Sequence, residues 1–232
     1  PCNHTTCYLC AFRQRKLYKK NQCLICRTES KTIIFTDNYM NMDFDDIPKA
    51  ALLQPTEGDL GIRFTSDSAK GITYELLEYK CPLENCRFHE HPFPNFKQLN
   101  EHAQSAHSKF FCSICGNANK SFPSELKMYS QAKLRLHMRQ GDYDGFEGHP
   151  ACKFCDNLHF YSDDELNIHM RDKHERCDVC HRQDSVNPKY FRNVEQLSQH
   201  FLSAHYPCRV ASCLAQKVIV FGELLELEAH MA

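Results

Sequence analysis

No stretch of the 232 residues approaches the roughly 18 to 20 consecutive apolar residues of a membrane-spanning helix. No apolar segment of the secretory type is present either. These absences lead us to expect a soluble cytoplasmic protein in a reducing compartment, without a membrane partner. Positive charge is also scarce. The formal net charge is −1, with seven Lys/Arg against one acid in residues 1–31, four against nine in 32–80 and seventeen against nineteen in 81–232. A tandem reader of duplex DNA should be basic, because neutralising phosphates dominates its affinity. Nor is there a pattern for one large core: the 42% hydrophobic content is spread over many short units, which predicts a string of small modules.

What the chain does have is fifteen cysteines and fourteen histidines. The cysteines recur in pairs, Cys2 being paired with His4, and ten of the histidines stand at the distances from them that tetrahedral zinc requires. Modules this small need a staple. Structural zinc supplies on the order of 10–16 kcal/mol of apparent binding energy per site, so chelation is expected to unfold most of the protein. Disulfides are the competing use of the cysteines, but regular interleaving with histidine favours thiolates.

The N-terminal block reads Cys2-x-His4-x2-Cys7-x2-Cys10, followed by Cys23-x2-Cys26. Over residues 1–27 it resembles a RING domain in the order of its ligands. The resemblance implies that Cys2, His4, Cys23 and Cys26 form one complete zinc site, and that Cys7 and Cys10 are half of a second whose first two cysteines lie upstream of Pro1. It also implies a helix at about Tyr8–Lys19. RING-type ubiquitin ligases contribute no catalytic side chain; they dock a ubiquitin-charged conjugating enzyme and hold its thioester for attack by a lysine, which is catalysis by orientation. Arg27 occupies the linchpin position, where a guanidinium can donate to both enzyme and ubiquitin. Leu24, Ile25 and Phe12 would line the docking groove. Leu24 stands where such domains often have proline, which bears on the choice of conjugating enzyme. The plainer alternatives are a solvated Arg27 and a core role for Phe12 and Leu17. The run Arg13, Arg15, Lys16, Lys19 and Lys20 reads as a solvated helix face, with a ribosomal RNA contact as the other reading.

Residues 32–80 have no cysteine or histidine and form an expected adaptor. Lys31–Thr36 and Ile62–Thr65 read as short strands, Asp43–Asp46 with Pro48 and Pro55 as loop, and Thr73–Tyr79 as a helix.

Five two-Cys/two-His units follow: Cys81, Cys86, His102 and His107 in 81–107; Cys112, Cys115, His137 and His149 in 112–149; Cys152, Cys155, His169 and His174 in 152–174; Cys177, Cys180, His200 and His205 in 177–205; and Cys208, Cys213 and His230 in 208–232. Three of the histidine pairs would share a helix, H-x4-H placing two imidazoles about one turn apart, and the second histidine of the fifth unit is expected beyond Ala232. In the second unit eleven residues separate the histidines, and His149 could instead cap a loop. A finger core needs an aromatic nine residues before the first histidine and a leucine three before it. These are Phe93 and Leu99, Phe160 and Leu166, Phe191 and Leu197, and Phe221 and Leu227, with Met128 and Leu134 in the second unit. The fold class expected is therefore small zinc-stabilised α+β modules: a partial RING at 1–31, a short α/β adaptor at 32–80, and a compact array of ββα-type fingers.

The gaps between units are two to four residues, shorter than the flexible linkers that let DNA-reading fingers follow a groove. The base-reading positions hold Asn95, Gln98, Glu101; Ser162, Glu165, Ile168; Asn193, Gln196, Gln199; and Glu223, Glu226, Ala229, with no arginine for guanine. Sequence-specific DNA is thus not an expected partner. Tyr143, Phe146, Phe110 and Phe111 could stack on unpaired bases or bind protein, packing between fingers being the plainer reading of the last two. His89, His91, His159 and His181 are expected to be ordinary surface or hydrogen-bonding residues.

The phrases Phe12-Arg-Gln-Arg15, Cys23-Leu-Ile-Cys-Arg27, His137-Met-Arg-Gln-Gly-Asp142, Gly148-His-Pro-Ala-Cys-Lys-Phe-Cys155 and Asp163-Asp-Glu-Leu166 resemble the RING and C2H2 zinc-finger ubiquitin ligases that sense collided ribosomes. The resemblance implies an E3 transferase with zinc as cofactor. Its partners would be a charged conjugating enzyme and the ribosome, and it would modify lysines of small-subunit proteins to start ribosome-associated quality control. Two alternatives are a ligase whose fingers bind a non-ribosomal protein and an RNA-binding regulator without ligase activity.

Overall fold

The computed structural model describes residues 2–37, 43–53, 60–143, 145–216 and 219–232; Pro1 and Pro55 lie outside them. The chain divides into two compact units, Pro1–Met138 and Arg139–Ala232.

In the first unit, α1 (Tyr8–Lys16) leads to β1 (Ile33–Phe35), single 3-10 turns at Phe44–Asp46 and Lys49–Ala51, β2 (Ile62–Phe64) and α2 (Asp67–Glu75). Helix α1 stops short of the expected Lys19, where the backbone turns left-handed at φ 56°. The Asp43–Asp46 stretch read as loop is in part a 3-10 turn, closed by Asp46 N donating to Asp43 O. Helix α2 begins six residues earlier than the expected Thr73. Ser66 caps it, its hydroxyl accepting from Ala69 N at 3.0 Å. Strands β1 and β2 pair in parallel, Ile33 to Ile62 and Phe35 to Phe64.

Their inner faces meet α1 and α2 in a core of Ala11, Phe12, Phe35, Ile62, Phe64, Ala69 and Phe122. Phe12 is 0% exposed, which corrects its assignment to a docking groove. Its ring packs edge-on against Phe35 and Tyr74 and stacks on Phe122, because the apolar side of α1 is what closes this small core. Arg15 is a second correction. Instead of lying on a solvated face it is 5% exposed, held by main-chain carbonyls. Gly61, at φ 69°, is where the chain passes closest: a Cβ there would sit 1.7 Å from Lys31 O.

The rest of the first unit comprises α3 (Phe96–His107), β3 (Phe110–Phe111), α4 (Ser113–Ala118), a 3-10 turn at Pro123–Glu125, β4 (Met128–Tyr129) and the start of α5 (Gln131–Gln140). Phe96, Leu99, Ala103 and Phe111 form its core, with Phe93 and Met128 against them. Gly116 lets α4 approach, since a Cβ there would lie 2.2 Å from the Phe96 ring.

The second unit contains α6 (Asp163–Lys173), β5 (Glu175–Arg176), α7 (Asp178–Gln183), β6 (Tyr190–Phe191), α8 (Val194–Ala204), β7 (Tyr206–Pro207), α9 (Ala211–Gln216), β8 (Val220–Phe221) and α10 (Leu224–Met231). β5 pairs antiparallel with β6, and β7 with β8. The two residues that part His174 from Cys177 are thus a strand, as are those between His205 and Cys208, so no flexible linker separates these repeats. The second cysteine of the second, fourth and fifth repeats lies in a short helix, α4, α7 or α9, set between the two strands of its hairpin. Asn95, Ser162 and Asn193 cap α3, α6 and α8, each side chain accepting from the main-chain N–H three residues on.

Candidate metal centres

In the N-terminal module Cys2, His4, Cys23 and Cys26 come within 4.8 Å of one another through their ligating atoms. A tight knuckle makes this possible: Cys23 N donates to Thr28 O at 2.9 Å and Arg27 N to Cys23 O at 3.0 Å. Closing it takes Arg27 to φ 59°, a left-handed conformation more usual for glycine or asparagine. Leu24, Ile25 and Arg27 all face solvent, the first two 45% and 58% exposed. Hydrogen bonding from Thr28 pulls the Cys26 thiol down to about 6, favouring the thiolate that a metal needs. Cys7 and Cys10 are exposed at the start of α1, and main-chain N–H groups around Cys10 lower the Cys7 thiol.

The same gathering recurs for Cys81, Cys86, His102 and His107, for Cys152, Cys155, His169 and His174, and for Cys177, Cys180, His200 and His205. Cys81 Sγ lies 3.5 Å from His107 Nε2, Cys86 Sγ 3.3 Å from His102 Nε2, and the two imidazoles 3.2 Å apart. Corresponding separations are 3.2 and 3.6 Å around Cys152 and Cys155, and 3.3 and 3.4 Å around Cys177 and Cys180. Ligands at zinc bond lengths on a tetrahedron stand about 3.3 to 3.6 Å apart, so these spacings are tetrahedron edges rather than hydrogen bonds. The donor chemistry, soft thiolate with imidazole, fits zinc over magnesium or calcium. Burial lowers His102, His169, His200 and His205, keeping them neutral, the form that ligates. Burial raises the Cys81 and Cys180 thiols, so there the cation itself must displace the proton. Zinc is the ion of these centres.

In the second repeat Cys115 Sγ lies 3.4 Å from His137 Nε2, and Cys112 is buried. His149 belongs to the second structural unit. It is buried, with Nδ1 3.1 Å from Phe160 O and its ring against Phe146. His174 repeats the arrangement, Nδ1 lying 3.2 Å from Arg192 O. Such hydrogen bonds fix the tautomer and orientation of a metal-binding imidazole. In the last repeat Cys213 Sγ lies 3.3 Å from His230 Nε2, and Cys208 is buried.

An aromatic ring backs the first histidine of each repeat: Phe93 on His102, Phe160 on His169, Phe191 on His200 and Phe221 on His230, at 4.5 to 5.0 Å between centroids. In the second repeat the structure differs from the expectation. Tyr129, not Met128, stacks on His137 at 4.8 Å, and its hydroxyl lies 3.3 Å from Nδ1. Met128 packs instead in the core of Phe96, Leu99 and Phe111. Phe111 is buried there too, as the plainer reading had it. Of the four spare histidines, His89 and His159 lie 2.9 and 3.3 Å from main-chain carbonyls.

Residues 173–231 match the C2H2-type zinc finger family, in keeping with the donor sets of that segment. Over its whole length the chain is similar to larger proteins. It is 44% identical to the E3 ubiquitin-protein ligase HEL2 of Saccharomyces cerevisiae, covering 100% of this chain and 35% of that one. It is 40% identical to E3 ubiquitin-protein ligase hel2 of Schizosaccharomyces pombe, over 99% of this chain and 32% of the relative, and 31% identical to E3 ubiquitin-protein ligase ZNF598 of Homo sapiens, over 99% and 25%. The chain thus spans about a third or less of the length of these curated relatives. No solved structure matches it. No helix among the described residues is long and apolar enough to cross a membrane.

Proposed function

We propose that this chain is the RING and zinc-finger part of an E3 ubiquitin ligase. Residues 1–31 would dock a ubiquitin-charged conjugating enzyme, 32–80 form an adaptor, and the five finger modules direct transfer to lysines of small-subunit proteins on collided ribosomes in the cytoplasm. Cys7 and Cys10 would ligate a second zinc in the RING. The observation that carries the reading is the exposed knuckle between Cys23 and Thr28. It offers two aliphatic side chains and a guanidinium to solvent and holds Arg27 in a conformation that costs about 1–2 kcal/mol for a residue with a Cβ. Strain of this kind is kept where a side chain is needed in one direction. Leu24 and Ile25 supply the apolar contact. Arg27, with its planar fork of donors, would bridge carbonyls of enzyme and ubiquitin and hold the thioester ready for attack. The similarity to proteins named E3 ubiquitin-protein ligases supports the same reading.

The test is single-turnover discharge of ubiquitin from a charged conjugating enzyme, across a panel of such enzymes. Arg27→Gly relieves the left-handed strain, so the variant should fold at least as stably as the wild type while losing on the order of tenfold or more in discharge rate. A variant as active as the wild type would return Arg27 to the role of a solvated charge. Failure of every enzyme in the panel with the wild-type protein would make the module structural.

A further inference from the structure

The 21-residue gap between Cys115 and His137 carries a segment that leaves its own repeat. Phe122 is fully buried, but in the core of the N-terminal module. Its ring stacks on Phe12, centroids 5.5 Å apart and planes 11° from parallel. The Arg13 guanidinium lies over the Phe122 ring, 5.3 Å from its centroid, and donates to Glu125. Glu125 also accepts from Phe122 N at 2.9 Å, so one carboxylate holds both the loop's turn and α1. Further along, the Lys120 ammonium lies 5.9 Å from the Tyr18 ring centroid. Phe12, Arg13 and Tyr18 thus each meet the same six-residue segment. Nothing in a finger's own fold asks for this: its ligands, hairpin and helix are complete without residues 120–125. Helix α1 is in turn tied to the segment that follows the docking knuckle by Arg15, which donates to Ser30 O and Lys31 O.

We propose that Phe122, with the Arg13–Glu125 pair, is a positioning device that sets lysine specificity in the transfer proposed above, on which this inference rests. By clasping the docking module to the second finger repeat it gives the charged thioester one direction relative to that repeat. Lysines are then chosen by where they lie and not by chance encounter. Misplacement by about 1 Å far from the chemistry can change a rate by about a hundredfold, so a hinge in place of the clasp would blur the choice.

The test uses the full-length protein with a conjugating enzyme that it discharges, and compares Phe122→Ala and Arg13→Glu with the wild type. Discharge to free lysine in solution requires only a docked thioester and should stay within about twofold of wild type. The map of the protein's own lysines that receive ubiquitin should broaden, with sites minor in the wild type gaining about threefold or more in share. Arg13→Lys, which keeps a cation for Glu125 and beside the Phe122 ring, should hold the map close to the original where Arg13→Glu does not, a split that loss of helix surface alone would not give. Amide exchange over residues 120–125 should rise in Phe122→Ala and Arg13→Glu, which reports an opened clasp. An unchanged lysine map with the clasp open overturns the proposal. So do unchanged exchange and discharge that falls in step with the map, since the latter places Phe122 in docking or folding. Absence of discharge by the wild type would remove the ligase reading itself, and this inference with it.

Discussion

Arg15 carries a full charge into a core where, among the described residues, no carboxylate forms an ion pair with it. Its guanidinium donates to Ser30 O at 2.6 Å, Leu60 O at 3.0 Å, and Lys31 O and Asn21 Oδ1 at 3.3 Å, and burial lowers its pKa. Five donors in a fixed plane suit this array of neutral acceptors as an ammonium would not. Arg15→Ala leaves three main-chain carbonyls without their donor, and each buried unsatisfied group costs about 1–3 kcal/mol. The N-terminal module should lose on the order of 3 kcal/mol, read as an earlier loss of its amide protection in denaturant, and Arg15→Lys should recover only part of it. In the sequence this residue is one of five cations in a short basic run, and charge alone places such a run in solvent. Its main-chain acceptors come from residues 30, 31 and 60, and main-chain carbonyls leave no mark on sequence. Phe12 was hidden for a related reason, because its stacking partner lies 110 residues away. The zinc ligands were legible since their chemistry needs particular side chains at particular intervals.

The hairpins of the repeats show what interval counting can and cannot find. The residue two before the first cysteine of a repeat faces its aromatic: Tyr79 meets Phe93, Glu175 meets Phe191 and Tyr206 meets Phe221. By that register Phe110 should meet the aromatic of the second repeat, and its partner is Tyr129. Counting back nine residues from His137 lands on Met128, one residue out, and a slip of one moves a side chain to the other face of the strand. The signal that could have found Tyr129 is its ring, one residue nearer the histidine than in the other repeats. Tyr129 also does what a phenylalanine cannot, since its hydroxyl meets Nδ1 of His137. Outer partners of a metal-bound histidine typically change affinity by 10–100-fold. Tyr129→Phe should therefore weaken zinc retention at Cys112, Cys115 and His137 by about tenfold in chelator competition, with the stack and the hairpin kept. An affinity equal to wild type would make the hydroxyl incidental.

Across the whole molecule the two units rest on metal to different degrees. The N-terminal core is built from Phe12, Phe35, Ile62, Phe64 and Phe122, none of them a ligand. The core of the second unit is Cys177, Val179 and Cys180, two of the three being donors, with Phe191, Leu197, Phe201 and Val220 only partly buried around them. Burying one large apolar side chain is worth about 1.5–3 kcal/mol, and Val179 with Met170, the buried apolar non-ligands among the described residues of this unit, cannot offset the ordering of some 90 residues at about 1–2 kcal/mol each. Apparent zinc binding energies of about 10–16 kcal/mol per site can. On treatment with a strong chelator, residues 139–232 should lose their helices and amide protection together with the metal. Strands β1 and β2 and helix α2 should keep measurable protection in the same sample, held by the phenylalanine cluster. Acidification should act in the same direction, because thiolates that take up protons release zinc. Simultaneous loss of protection in both units at the first equivalent of metal removed would mean that the aromatic core also depends on its zinc, and that the adaptor strands fold only against a loaded N-terminal site.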